Sequence, residues 1–409
     1  MATASKPMRA AISMNELFKI ANEKMEAIGR PSLKDENFKF TPIRGVKVEA
    51  SSSKEGQFSE NQASEYLPQE QALSCIYSGG EIKVDSSETM LKLEAWSESA
   101  AKAVSAEELY DLIYPSKVFE RDYFAWAAIN HSFSGFSLRI PKGSKVSMPF
   151  HLFLNLVGED STHRLRTRIH LEEDSELNLF AGAYSNEKVN LFHLQTFVLD
   201  KAAKLNFCDF QSLSDDSQYF LRQDFSLGEG ARVSAHWATK SSGVGQIRVH
   251  IDNQGEGSCF QGRRSLAIAG QQHSDFWIEN LHSSKHSTSS MEQWAVLDDK
   301  AKSVFNGLIR ILPKMNQSDA LHKSRSLVLS DRASSENMPK LIIETDDVKV
   351  SHGASISNLD LEQLYYLESR GIEKEEAKNL MISGFLRSSW DNLETQAWKD
   401  FLEREFYSS

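Results

Sequence analysis

Apolar positions along the chain change their period twice. Leu17, Ala21, Met25 and Ile28 recur at helical spacing, Ser13 and Glu16 form a capping box ahead of them, and Gly29 and Pro31 end the run, so one amphipathic helix is expected. From Glu49 to about Glu98 the chain is polar and rich in Ser and Glu. That stretch reads as a loosely structured linker with local order around Leu73 to Val84. Ser105 and Glu108 open a second helix through Leu112, and Val118 to Ala128 reads as a third.

From about Phe136 the period is 2, and apolar pairs recur on either side of short acidic or glycine turns. The copies are Ile169 and Leu171 with Leu177 and Leu179, Phe197 and Leu199 with Leu205 and Phe207, and Phe225 and Leu227 with Val233 and Ala235. Leu171, Leu199 and Leu227 are 28 apart, and in each copy the second pair starts six residues after the first ends. Looser echoes follow at Val249 and Ile251, Leu266 and Ile268, and Ala295 and Leu297. A repeat of this length that carries strands and no helices predicts stacked coils, each burying one apolar row and leaving its sheets incomplete without a neighbour. A β-sandwich of regular hairpins also spaces strands evenly. The scarcity of Asn-Gly and Asp-Gly dipeptides and the unchanged six-residue offset favour a parallel β-helix.

The helical period returns at Asn358. Asp360 and Gln363 cap a helix that Gly371 ends, and two more follow at Glu373 to Leu386 and Leu393 to Phe406. Leu364, Tyr365, Leu367, Leu380, Met381, Phe385, Trp390, Trp398 and Phe401 give these helices more apolar surface than they can bury among themselves, so part of it is expected to dock elsewhere. The expected organisation is an N-terminal helical region over 1–130 that includes the polar linker, a β-helix over 131–356 and a helical domain over 357–409.

Composition narrows the function. The 409 residues carry 46 Lys and Arg against 57 Asp and Glu, a net charge of −11, with 40% hydrophobic residues. A packed core is affordable, and the acidic balance argues against nucleic acid or an anionic membrane as the main partner. Cys75, Cys208 and Cys259 are too few and too scattered for a disulfide framework, which fits a reducing compartment. No apolar leader stands at Met1 to Ala11, so a cytoplasmic protein is expected, with an organelle leader built on the few basic residues before Glu16 as the alternative.

Enzyme signatures are absent. There is no phosphate-binding P-loop, dinucleotide fingerprint, nucleophile elbow or zinc-protease helix. Gly243 with Gly245 lacks a third glycine, and Gly228 with Gly230 reads as a tight turn. His282 and His286 have the spacing of a zinc pair on a helix but sit in Ser-rich strand or loop sequence without a third ligand. Asp200, Asp252 and Asp298 follow apolar pairs at equivalent points of their coils. They are candidates for the paired carboxylates of a β-helix carbohydrate-cleaving enzyme, but turn acids usually serve the backbone.

Asp346 to Ser355 (DDVKVSHGAS) stands where strand gives way to helix, at the end of the expected solenoid, where unpaired backbone groups invite another chain. This segment, followed by Leu359 to Ile372 (LDLEQLYYLESRGI) with Glu376 and Ala377, resembles the DDVKCSHGAT…LDEEQLFYLxSRGI…EA pattern of the SufB/SufD iron-sulfur cluster assembly family. Gly29 to Pro42, Ile140 to Gly143 with Pro149, Ser303 to Gly307, Leu327 to Asp331 and Pro339 to Ile343 are similar to further family motifs. Apart from the polar stretch the resemblance spans nearly the whole chain. It is to the SufD branch, because the extra cysteines of the SufB branch have no counterpart here.

The resemblance implies a right-handed parallel β-helix flanked by helical regions, acting as a non-enzymatic scaffold in iron-sulfur cluster assembly. It implies pairing with a SufB-like paralogue through the end of the β-helix, at Lys349, Ser351 and Gly353, and binding of the ABC-type ATPase SufC by the C-terminal helices, at Leu364, Tyr365, Tyr366, Arg370 and Gly371. ATP-driven closure of two SufC subunits would then open the interface. His352 matches the histidine that faces the paralogue, and an imidazole is a competent iron ligand. No tightly bound cofactor is expected, only a transient iron-sulfur cluster shared with the partner, whose thiolates one imidazole cannot replace. The chain departs from the family at Val350, often Cys, and at His322, often Gln. A homodimeric adaptor that delivers iron or reductant without ligating the cluster is the alternative.

Overall fold

The structure is a computed structural model that describes residues 14–35, 38–43, 46, 48, 66–85, 92–96, 116–130, 134–391 and 393–407. Ser13 of the expected capping box and the helix expected from Ser105 to Leu112 lie outside the described residues.

Strand alternation resolves into two facing sheets. The first contains β1 (Leu73–Ser78), β2 (Glu81–Asp85), β5 (Phe150–Asn155), β7 (Glu176–Ser185), β9 (Lys204–Leu213), β11 (Arg232–Ser241), β13 (Cys259–Ile268), β15 (Thr288–Leu297), β17 (Ser318–Val328) and β19 (Val348–Asn358). The second contains β3 (Lys92–Trp96), β4 (Ser134–Ile140), β6 (Ser161–Leu171), β8 (Val189–Leu199), β10 (Gln218–Leu227), β12 (Val244–Asn253), β14 (His273–His282), β16 (Lys302–Ile311) and β18 (Ser334–Ile343). From β4 to β19 the chain alternates between the two sheets, giving a parallel β-solenoid of about 8 turns.

The sequence repeat is the coil. Leu171 pairs with Leu199 and Leu199 with Leu227 in one sheet, while Leu177 pairs with Leu205 and Leu205 with Val233 in the other. Both rows point inward and are buried, so the 28-residue spacing is the rise of one rung. Phe197 and Phe225 stack across that rung at 4.3 Å between ring centroids. Interior glycines make room for large neighbours: a Cβ at Gly245 would collide with the Tyr219 ring, and one at Gly307 with Nδ1 of His322.

The two ends of the solenoid differ. Strands from the polar stretch close the first end, where β2 lies antiparallel to β1 and β3 antiparallel to β4. Alternation in Leu73–Ser78, with every second residue buried, is enough to place β1 on the stack. At the other end β18 and β19 are the last strands of their sheets. Among the described residues no strand pairs with their outer edges.

The N-terminal helices cover the second sheet. In α1 (Met14–Ile28), Leu17, Ala21 and Met25 are buried in a cluster with Phe38, Phe124, Trp126, Phe192 and Phe220. The helix expected over Val118–Ala128 is confined to α2 (Tyr123–Ala127), and turn geometry occupies residues 117–121. The reason is Asp122, whose extended backbone and side chain, accepting from the amides of Phe124 and Ala125, start the helix there.

Three C-terminal helices follow, α3 (Leu361–Ser369), α4 (Lys374–Trp390) and α5 (Gln396–Tyr407). Much of their apolar surface docks on the chain's own first sheet: Leu386, Trp390, Trp398, Phe401 and Leu402 are buried against Phe180, Phe210 and Trp294. Trp398 Nε1 also donates to Glu70 Oε1 at 2.8 Å, tying α5 to the start of the solenoid. Leu361, Tyr365, Tyr366 and Leu380 stay exposed.

Candidate functional site at the open end of the solenoid

Register sorts the side chains of the last coil. β19 runs parallel to β17 with Val350 beside Ala320, His352 beside His322 and Ile356 beside Ser326. Ala320, His322, Ser324 and Ser326 are buried, inward-facing residues. By strand alternation Val348, Val350, His352, Ala354 and Ile356 continue that inward row, now without a coil above to cover it. Lys349, Ser351 and Gly353 lie on the opposite, outer face, following Asp319, Leu321 and Lys323. The predicted interface residues therefore divide, with His352 at the mouth of the lumen and the other three outside.

On the facing strand, Leu341 and Ile343 extend the buried row of Ile309 and Ile311, yet they are exposed. With Ile342 on the outer face and Ile356, which is 55% exposed, they leave an apolar rim around the mouth. Sequence reading missed this rim. A run of three large aliphatics at Leu341 to Ile343, placed on the terminal rung, was the available signal.

His322, one rung below His352, is 1% exposed, and burial, reinforced by the nearby imidazoles of His282 and His352, pushes its pKa down to about 3. His282 is buried with both ring nitrogens engaged, by Ser287 Oγ at 2.7 Å and Ser289 Oγ at 2.9 Å. His286 sits in an exposed turn beside Glu256. The sequence-spaced histidine pair is thus not brought together. Among the described residues no three His, Cys, Asp or Glu side chains converge to hold a metal ion. The thiols of Cys75 and Cys208 are buried and pushed up, the first to about 12, and Cys259 lies on β13, three rungs below β19.

The carboxylates considered for carbohydrate cleavage do not share a face. Asp252 lies on β12 and Asp200 follows β8 in the second sheet, whereas Asp298 follows β15 in the first. Each has local work: Asp200 takes His170 Nε2 at 3.0 Å, Asp252 accepts from Gln254 Nε2 at 2.9 Å, and Asp298 lies 3.5 Å from Lys378 Nζ. The apparent equivalence of the three coils fails because Asp298 ends a strand of the opposite sheet and Asp252 is in register with Val198, two positions before Asp200.

In the helical arm, Asp360 caps α3 by accepting from the amides of Glu362 and Gln363, and Gly371, at a φ of +86°, ends it. Leu364 is buried and holds α3 down, so its side chain does not face outward as the sequence suggested. Tyr365, at 73% exposure, and Tyr366 do face outward. Arg370 lies 5.1 Å from the Tyr366 ring centroid and donates to its hydroxyl at 3.1 Å.

Residues 154–385, from the end of β5 into α4, match the family model described as SUF system FeS cluster assembly, SufBD core domain. The chain belongs to the SufB/SufD family. It is similar to the iron-sulfur cluster assembly protein SufD of Bacillus subtilis, 30% identical over 258 residues, or 62% of this chain and 59% of that protein. It is also similar to SufD of Escherichia coli, 24% identical over 384 residues, or 91% of this chain and 87% of that protein. SufB of Bacillus subtilis is 23% identical over 274 residues, or 64% and 57% of the two chains. The matches to the Bacillus proteins thus span less than two thirds of their length. No described helix of this SufB/SufD family member is long and apolar enough to cross a membrane.

Proposed function

We propose that the chain is a non-enzymatic scaffold subunit of iron-sulfur cluster assembly that pairs, through β18 and β19, with a SufB-like paralogue. The observation that carries this reading is the asymmetry of the solenoid's ends. The chain's own antiparallel strands close one end, while at the other the outer edges of β18 and β19 have no strand partner among the described residues and an apolar rim is exposed. A partner ending in a similar rung would continue both ladders and cover the rim.

His352 then lies inside the joint, where it would ligate a transient cluster whose remaining ligands are the partner's thiolates. The exposed Leu361, Tyr365, Tyr366 and Leu380 of α3 and α4 supply the surface for the ATPase SufC. The family relationship supports both assignments.

Co-expression of the chain with a SufB-like protein and SufC, followed by affinity capture, tests the reading. Replacing Ile342 and Ile356 by Asp is expected to abolish capture of the SufB-like protein while leaving the melting temperature of the isolated chain within a few degrees, since both side chains are already exposed. Undiminished capture by the doubly substituted chain would overturn the pairing surface. Capture of a second copy of this chain in preference to the paralogue would favour the homodimeric adaptor.

A further inference from the structure

The outer face of the first sheet carries a groove of about 380 Å3 where the loop between α4 and α5 meets it. Leu177, Leu205 and Val233 point into the lumen, so strand alternation sets two rows on the outside. Glu176, Lys204, Arg232 and Cys259 stand in register on successive rungs, with Asn178, Asn206, Ser234 and Gln261 two residues further along each strand. Glu394 enters from the loop and joins the lining.

Part of the charge in the groove is matched internally. Glu176 takes Lys204 Nζ at 2.7 Å and Lys145 Nζ at 3.1 Å. Two charged groups are left over: among the described residues the Arg232 guanidinium has no acceptor and the Glu394 carboxylate has no cation. Glu394 is nevertheless held in place. Asn206 donates to its Oε2 at 2.8 Å, and the same amide donates to Asn178 Oδ1 at 2.8 Å. A cation and an anion that line one cavity without pairing with each other are the complement of a ligand that carries both charges.

The spacing sets the size of that ligand. Arg232 stands one rung, roughly 4.8 Å, and two residues, roughly 6.7 Å, from Asn206, the residue that anchors Glu394. Two extended peptide residues span about 7 Å. Ser234, at the corner of that path, offers a hydroxyl to the peptide group. We infer that the groove binds a dipeptide-sized zwitterion, with its carboxylate on the Arg232 guanidinium and its ammonium on Glu394. A guanidinium takes a carboxylate through two parallel N–H···O bonds, which fixes the direction of the peptide. The nearest strand of the groove, β13, lies three rungs below β19, so the inference does not rest on the pairing proposed above.

Calorimetric titration of the full chain with L-alanyl-L-alanine is the test, since both recognised groups belong to the peptide's ends. One equivalent is expected to bind, and N-acetylation of the peptide or amidation of its carboxylate is expected to weaken binding by about tenfold or more. Arg232→Gln should erase the preference for a free carboxylate, and Glu394→Gln the preference for a free ammonium. Both variants change only exposed side chains and should melt normally. Cys259 reports the location, because it is half-buried in the groove whereas Cys75 and Cys208 are buried. Bound peptide is expected to slow its alkylation by iodoacetamide, read by mass spectrometry. Failure of the peptide to bind, equal binding of the blocked peptides, a preference that survives the matching substitution, or unslowed alkylation would each overturn the site.

Discussion

Nε of Arg222 lies 2.8 Å from Oδ2 of Asp122, and both side chains are almost wholly removed from water. The same oxygen takes Arg248 Nη1 at 3.0 Å, while Oδ1 caps α2. One carboxylate therefore starts a helix and fastens the N-terminal region to the second sheet. Asp122→Ala leaves a buried guanidinium uncompensated and is expected to cost about 3–5 kcal/mol, read as a shift of the denaturant midpoint. Burial alone would raise the Asp122 pKa, but Arg222 and Arg248 outweigh it and hold it below the ordinary value. Its contribution is thus present above the unfolded carboxylate pKa of about 3.9 and is lost as pH falls through the depressed native value. Asp122→Asn should flatten that acid limb.

Asp209 has the opposite sign. It is buried in the lumen, and burial pushes its pKa up to about 7 against the lowering effect of the Gln223 and Gln211 amides. The folded state then binds the proton more tightly than the unfolded state. Stability from this group is fully present below about pH 3.9 and declines by about 1.4 kcal/mol per pH unit until pH passes the native value. Asp209→Asn is expected to remove this slope between pH 4 and 7. Urea denaturation across that range checks it, and an unchanged slope in the variant would refute the assignment.

The coils were legible where repeat length is constant. Leu171, Leu199 and Leu227 sit on successive rungs because the turns between them match. Gln218, in contrast, pairs with Val244, 26 residues on, and Lys302 with Ser334, 32 residues on, so later copies drift out of phase. Lys92–Trp96 was hidden for another reason. Among the described residues it pairs with β4 alone, at the edge of its sheet, and such strands need little apolar alternation. At the candidate site, sequence located His352 but not the direction in which it faces. Its position on the inward row depends on the register with His322, a contact between segments 30 residues apart.

Aromatic residues of the C-terminal helices fall into two groups that behave differently on substitution. Trp398 is buried against the first sheet beside Phe180, and Trp398→Ala is expected to cost about 3–5 kcal/mol. Tyr365 is exposed, so Tyr365→Ala should change stability by no more than about 0.5 kcal/mol. The same substitution, combined with Leu380→Ala, is expected to reduce capture of SufC. Chemical denaturation paired with capture separates the two effects, and normal capture by the double variant would remove the ATPase from this surface.

Two glycines, Gly307 and Gly353, distinguish a packing requirement from an interface requirement. A Cβ at Gly307 would collide with Nδ1 of His322 inside the lumen, so Gly307→Ala is expected to destabilise the chain by about 1–3 kcal/mol, an effect relieved when His322 is also shortened to Ala. At Gly353 an added Cβ would meet only Lys323 Cγ, at 3.9 Å, and the backbone there is not left-handed. Among the described residues nothing requires glycine at 353, and Gly353→Ala should leave stability within about 0.5 kcal/mol. If a paralogue's strand closes over this rung, the outer face at 353 becomes part of the joint, and Gly353→Leu should weaken capture of the SufB-like protein while the isolated chain melts normally. Equal capture by Gly353→Leu and the unsubstituted chain would mean that the partner's backbone does not pass over this position.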